Sequence, residues 1–178
     1  KLKVSRKPRV AILATGDELI EINQKLKPGK IRNSNAYALY GQVAEAGAIP
    51  VILGIAMDHK KDLEQKIKKG LRGTDMLLVS GGISVGDYDF TEKALKNNGF
   101  KIIFHKVNQK PGKPLLFAKK GSKAAFGLPG NPRAVYVCFY QYVYPYIRST
   151  MGANAPFLKF INLPLAHDYS KNNDKKVH

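Results

Sequence analysis

Between residues 9 and 128, short apolar runs alternate with stretches whose apolar residues recur at helical spacing. No other feature limits so tightly what the chain can fold into. "RVAILA" at 9–14 is a short apolar run closed by a polar turn, the signature of a buried strand. "NAYALYGQVAEAG" at 35–47 predicts a helix, with Leu39, Val43 and Ala46 on one face and Gly47 as its stop. The strand "AIPVILGIA" follows. "DHKKDLEQKIKKGL" then predicts an amphipathic helix carrying Leu63, Ile67 and Leu71. Next come the strand "DMLLVS", the helix "FTEKALKNNG", the strand "FKIIFHKV" and a hairpin around Lys119–Lys123. A long helix from Pro132 to about Arg148 closes the series. Strand and helix alternating at this spacing predict a mostly parallel sheet sandwiched between helices. From Pro156 onward the pattern changes character.

The 178 residues suit one domain of ordinary size with a short extra piece. A single cysteine, Cys138, excludes an intrachain disulfide and a thiolate metal cluster, and is at home in a reducing cytoplasm. The run "AVYVCFYQYVYPYI" is too short for a membrane span and contains Pro145. The basic N-terminus lacks the apolar core of a signal peptide. It starts without Met, as a piece of a longer protein would.

The formal net charge is +17, and it is unevenly spread: no carboxylate occurs from Lys93 to His167, against twelve Lys or Arg. Such a stretch attracts anions of any kind through its field, although a general lysine bias would produce it too. Neither zinc-finger spacing nor an aromatic ribonucleoprotein signature is present, so no specific nucleic-acid partner is expected.

The expected strands each end in a polar turn: "TGDEL" after the first, Asp58 after the second, "SGGISVGDYD" after the third, "NQKPGKP" after the fourth, and "GLPGNP" after the hairpin. In an open parallel sheet the carboxyl edge is where ligands bind. Each turn also admits a purely structural role. Asp89-Phe90-Thr91-Glu92 has the form of a capping box, Asp58 is placed to cap the next helix, and Asn131-Pro132 is a cap followed by proline at the first helical position. Glu18 is less easily a cap, because Asp17 or Thr15 would serve. Gly81, Gly82 and Gly86 let a backbone approach a ligand, or simply make a turn. In "KPGKP" the prolines bias Lys110 and Lys113 toward extended backbone, giving two compact cations suited to a small oxyanion, or a solvated basic loop. Carboxylates such as Glu18, Asp58 and Asp89 suit Mg²⁺ through oxygen ligands. No Ser-His-Asp set, cysteine nucleophile or histidine cluster emerges; His59, His105, His167 and His178 are scattered.

The strings "PRVAILATGDEL", "IRNSNAYAL", "VSGGISVGDYDFT", "KPGKPLLF" and "GLPGNP", taken in this order, resemble the MoeA family of molybdopterin molybdotransferases, which includes the gephyrin E domain. The resemblance covers about residues 7–152. It implies a three-layer α/β/α sandwich with a mostly parallel sheet, like that of MogA, MoaB and CinA-type relatives. It implies a molybdopterin-binding domain at 1–152 and, at 153–178, a linker with the truncated start of a C-terminal β domain. The implied activity is insertion of molybdate into adenylated molybdopterin, with Mg²⁺ and release of AMP.

The resemblance puts Glu18, Asp58 and Asp89 on the family's essential acids, with Asp58 and Asp89 as metal ligands. It puts Lys110 and Lys113 on an anion-binding loop, and Thr15, Ser80, Gly81, Gly82, Ser84, Pro129, Asn131 and Pro132 along the substrate. Arg133-Ala134 departs from the family's "NPVS", removing a hydroxyl, and His59 stands where a second acid is common. The alternatives are an adenylyltransferase of the same fold and a non-enzymatic gephyrin-like scaffold, with other proteins of the pathway as possible partners. The tyrosines at 136, 140, 142, 144 and 146 suggest a buried face plus a homodimer contact, or core packing alone. The fragment by itself is expected to be inactive.

Overall fold

A computed structural model describes residues 2, 4–83 and 90–168. The strands are β1 (Arg9–Thr15), the short β2 (Leu19–Ile20) and β3 (Ile31–Arg32), β4 (Ile49–Ala56), β5 (Met76–Ser80), β6 (Lys101–His105), β7 (Leu116–Lys120) and β8 (Lys123–Leu128). The helices are α1 (Ser34–Glu45), α2 (Lys60–Gly70), α3 (Phe90–Asn97), α4 (Pro132–Cys138) and α5 (Tyr144–Thr150). The expected elements all form. The β2–β3 pair, a parallel two-stranded piece between β1 and α1, is an addition that four residues without periodicity could not announce.

Six strands make one sheet in the order β4-β1-β5-β8-β7-β6. β4, β1, β5 and β8 run parallel, and β7 is antiparallel to both its neighbours, so β6 again points the same way as β8. The mostly parallel sandwich is borne out.

Strand residues alternate between two cores because successive side chains leave opposite faces of a sheet. Val10, Ile12, Met76 and Leu78 join Leu39 and Val43 of α1 and Val135 of α4 on one face. Ala11, Leu13, Leu77 and Val79 meet Leu63 and Ile67 of α2 and Leu95 of α3 on the other. Strands buried on both faces have to read as continuous apolar runs, as "VAIL" and "MLLV" do.

The last helix carries a π-helical turn, Phe139–Val143, between α4 and α5. Pro145 lies just beyond it. A proline removes one backbone donor and crowds the carbonyl four residues back, and a widened turn absorbs that conflict without ending the helix. Tyr142 packs against Phe104, and Tyr146 against Phe117 and Phe126, on the sheet side. Tyr136, Tyr140 and Tyr144 form a row with ring centroids 4.8 and 5.9 Å apart, and Tyr136 is 58% exposed.

An ionic clamp fastens α3 to β6: Glu92 receives Lys96 Nζ at 2.6 Å and lies 2.7 Å from His105 Nδ1. The hydrogen bond from Lys96 is the main force holding the Glu92 carboxyl below its ordinary value, with His105 adding to it against the opposing effect of burial. That stability is present above the ordinary carboxylate value and is lost as pH falls through the depressed folded one. Glu92→Gln is expected to cost about 1 kcal/mol near neutrality. It should also flatten the acid limb of a urea-midpoint profile; an unchanged limb would remove Glu92 as its source.

Candidate functional site at the carboxyl edge of the sheet

Chain order reverses at β1: one connection carries it outward to β4, and the next carries it back past β1 to β5. The carboxyl ends of β1 and β5 therefore part around a crevice, the usual ligand position in open α/β sheets. A cleft of about 360 Å³ lies there. Thr15 of β1 with Gly16 just beyond it, Ser80 of β5 with Gly81 and Gly82 just beyond it, and Gly130 and Pro132 at the entry to α4 form part of its wall. Glu18 and Asp58 contribute its carboxylates.

Of the two roles open to Asp58, the structure removes the structural one. Asp58 does not cap α2: His59 holds that position and makes no side-chain cap bond. Instead Asp58 Oδ1 accepts from Thr15 Oγ1 at 2.6 Å, and the Asp58 N–H donates to Asp17 Oδ1 at 3.0 Å. The carboxylate is thereby held across the end of β1, in the cleft. Glu18 folds back over Gly16, where an added Cβ would come within 2.6 Å of its carboxylate oxygen. At Gly81, with φ +92°, a Cβ would lie 2.2 Å from the Thr15 carbonyl oxygen, so only glycine allows β5 to leave the sheet this close to β1.

The sequence reading missed Asn35. Its Nδ2 donates to Ser80 Oγ at 3.0 Å and to the Gly130 carbonyl at 2.8 Å, joining α1, β5 and the turn before α4. Ser80 Oγ in turn lies 3.5 Å from the Pro129 carbonyl. Pro129 and Asn131, expected along the substrate, do not line the cleft. Asn131 caps α4, accepting from the Arg133 N–H at 2.9 Å and the Ala134 N–H at 3.4 Å.

Lys110 and Lys113 do not line the cleft. They occupy the loop after β6, at the far edge of the sheet. That loop is fastened by Gln109, which donates to the Pro111 carbonyl at 2.7 Å and accepts from Tyr142 Oη at 2.7 Å. The Lys110–Pro111 peptide is cis. Ser84 and Asp89 lie outside the described residues, so their expected roles are not placed. Burial pushes the Cys138 thiol up to about 11, which leaves it protonated and no candidate nucleophile.

Among the described residues, no three His, Cys, Asp or Glu side chains gather as a closed metal cage would require. Glu18 and Asp58 are hard oxygen donors on one cleft. They fit Mg²⁺, which usually keeps water and takes one or two carboxylates alongside phosphate oxygens.

Fold and cleft together define a doubly wound α/β ligand-binding domain with an acidic, glycine-walled site. The chain belongs to the family described as "Probable molybdopterin binding domain", whose model matches residues 11–149. It is 45% identical over 155 residues to a molybdopterin molybdenumtransferase of Nostoc, covering 85% of this chain and 36% of that protein. The protein of that name from Bacillus subtilis is 39% identical over 170 residues, covering 96% and 40%. A molybdopterin biosynthesis MoeA protein from Pyrococcus horikosii superposes with a TM-score of 0.76 at 32% identity, covering 83% of this chain and 36% of that one. The MoeA resemblance seen in the motifs therefore holds. The chain spans about two fifths of the length of these relatives. A MoaB enzyme from Thermus, at 15% identity and a TM-score of 0.58, shares the fold.

Proposed function

We propose that this chain is the substrate-binding domain of a molybdopterin molybdotransferase, which inserts molybdate into adenylated molybdopterin and releases AMP. One observation carries the reading: Glu18 and Asp58 stand on a cleft at the topological switch point, walled by Gly81, Gly82 and Gly130. A glycine wall lets a large planar ligand lie against backbone, and the carboxylates supply the oxygen ligands that a phosphate-bound Mg²⁺ needs. The names carried by the relatives support the same reading.

In this reading Asp58, steadied by Thr15, and Glu18 would hold Mg²⁺, with Asp89 as a further ligand. Bound there, Mg²⁺ would supply positive charge to offset that of the phosphate oxygens. Ser80, fixed by Asn35, presents its hydroxyl beside the pterin or nucleotide. Lys110 and Lys113 recruit molybdate at the outer edge and do not hold the phosphates.

The domain ends at residue 152, and 153–178 open the next one. The exposed tyrosine row from Tyr136 is where a second copy packs, aromatics being enriched in interface cores. No helix among the described residues is long and apolar enough to cross a membrane, and we place the protein in the cytoplasm. The test is AMP release from adenylated molybdopterin by the intact parent protein. Release that requires both molybdate and Mg²⁺ supports the transferase; tight binding without release would point to a cofactor-binding scaffold.

A further inference from the structure

We propose that the first turn of α1, with Arg32 and Asn33, is the phosphoryl subsite of this cleft; the proposal rests on the reading that the ligand carries phosphates. Glu18 and Asp58 alone would repel such a ligand, so the cleft needs a counterweight. Arg32 is the only cation among its described lining residues. Arg32 Nη1 donates to the carbonyls of Ile22 and Gln24, at 2.5 and 3.0 Å, which holds the guanidinium in place. Nε and Nη2 make no hydrogen bond among the described residues and remain for an anion. A guanidinium is well matched to phosphoryl oxygens.

Two independent features lie beside it. The twelve-residue α1 opens onto the cleft through Asn33, Ser34 and Asn35, and its first turn holds no acidic residue. Its leading N–H groups and dipole favour an anion. Asn33, 1% exposed, accepts from the Ala36 N–H through Oδ1 at 3.3 Å, whereas its Nδ2 is buried with no partner. A sequestered amide without an acceptor is costly, and a phosphoryl oxygen would satisfy it. These residues are consecutive, in "IRNSN", so one short segment supplies the charge, the helix end and the unmet donor.

The test is calorimetric titration of AMP, and separately of inorganic pyrophosphate, into this chain and its variants. Arg32→Gln is expected to weaken both by about tenfold or more, the usual worth of a hydrogen bond to a charged group. Asn33→Asp keeps an acceptor for the Ala36 N–H, and so the helix cap, while replacing the donor by a negative oxygen; the buried charge lowers the melting temperature, so affinities are compared where circular dichroism shows the variant folded. It should weaken both probes at least as much, and it stands as the decisive variant if Arg32→Gln loosens its loop. Lys101→Gln with Lys119→Gln, paired across β6 and β7 at the opposite end of the sheet, should change either affinity by less than about twofold, since those lysines lie off the cleft. Binding that survives both cleft variants, or that falls as far with the Lys101 and Lys119 pair, would overturn the subsite, as would failure of the native chain to bind either probe at millimolar concentration. None of these results touches molybdate-dependent AMP release by the parent protein, so the two readings fail separately.

Discussion

Asp58→Asn in the intact parent protein is expected to slow molybdate-dependent AMP release by on the order of a hundred- to a thousandfold, the usual cost of losing one preorganised electrostatic contact. The substitution is nearly isosteric. Its remaining carbonyl oxygen still accepts from Thr15 Oγ1, which is 2.6 Å away in the native protein, and its backbone still donates to Asp17. The melting temperature should therefore hold within a few degrees while the charge disappears. Excess Mg²⁺ should restore part of the rate, because a weakened ligand set raises the metal concentration needed. Turnover within about threefold of native, with the fold intact, would take Asp58 out of the chemistry.

Gly81→Ala is the second large effect, and it acts on structure first. The new Cβ would sit 2.2 Å from the Thr15 carbonyl oxygen, and the backbone at φ +92° disfavours any side chain. Strained backbone and overpacking each cost roughly 1–3 kcal/mol, so a loss of about 3 kcal/mol is expected in urea unfolding. Relief can come only by moving β5 away from β1, which opens the cleft. Gly121→Ala provides the comparison: φ is +56° and nothing lies within 4 Å of the added carbon. It should cost only about 1 kcal/mol. Equal losses at the two sites would show that backbone strain alone matters and that the approach of β5 to Thr15 does not.

The sheet was legible because each of its central strands is buried on both faces and has little choice but to be apolar, as "VAIL" and "MLLV" show. The placing of turns at the carboxyl edge followed from strand direction. Lateral distance did not. Lys110 follows β6, which does point toward the ligand edge, but β8 and β7 stand between β6 and β5. Three strand spacings of roughly 4.8 Å, about 14 Å in all, separate β6 from β5. A hairpin read as merely "two strands" does not say on which side of the sheet it opens. The capping alternative for Asp58 failed for another reason. An acid just before a helix is usually its cap, and only the tertiary position of the Thr15 hydroxyl diverts it. Asn35 left no mark because its amide bridges residues forty-five and ninety-five positions away.

The π turn at Phe139–Val143 has a consequence for how the chain tolerates change in length. One residue of α-helix is about 100° of rotation, so the widened turn acts as a phase shifter between the two ends of the terminal helix. Before it, Tyr136 faces outward; after it, Ile147 is fully buried and Tyr146 meets the Phe117 and Phe126 rings. Deleting a single residue there would regularise the hydrogen bonding and yet throw every later side chain out of phase. Ile147 would swing from the core, and Pro145 would return to a tight helix that cannot hold it. The local irregularity is what keeps both ends of the helix in step with the sheet.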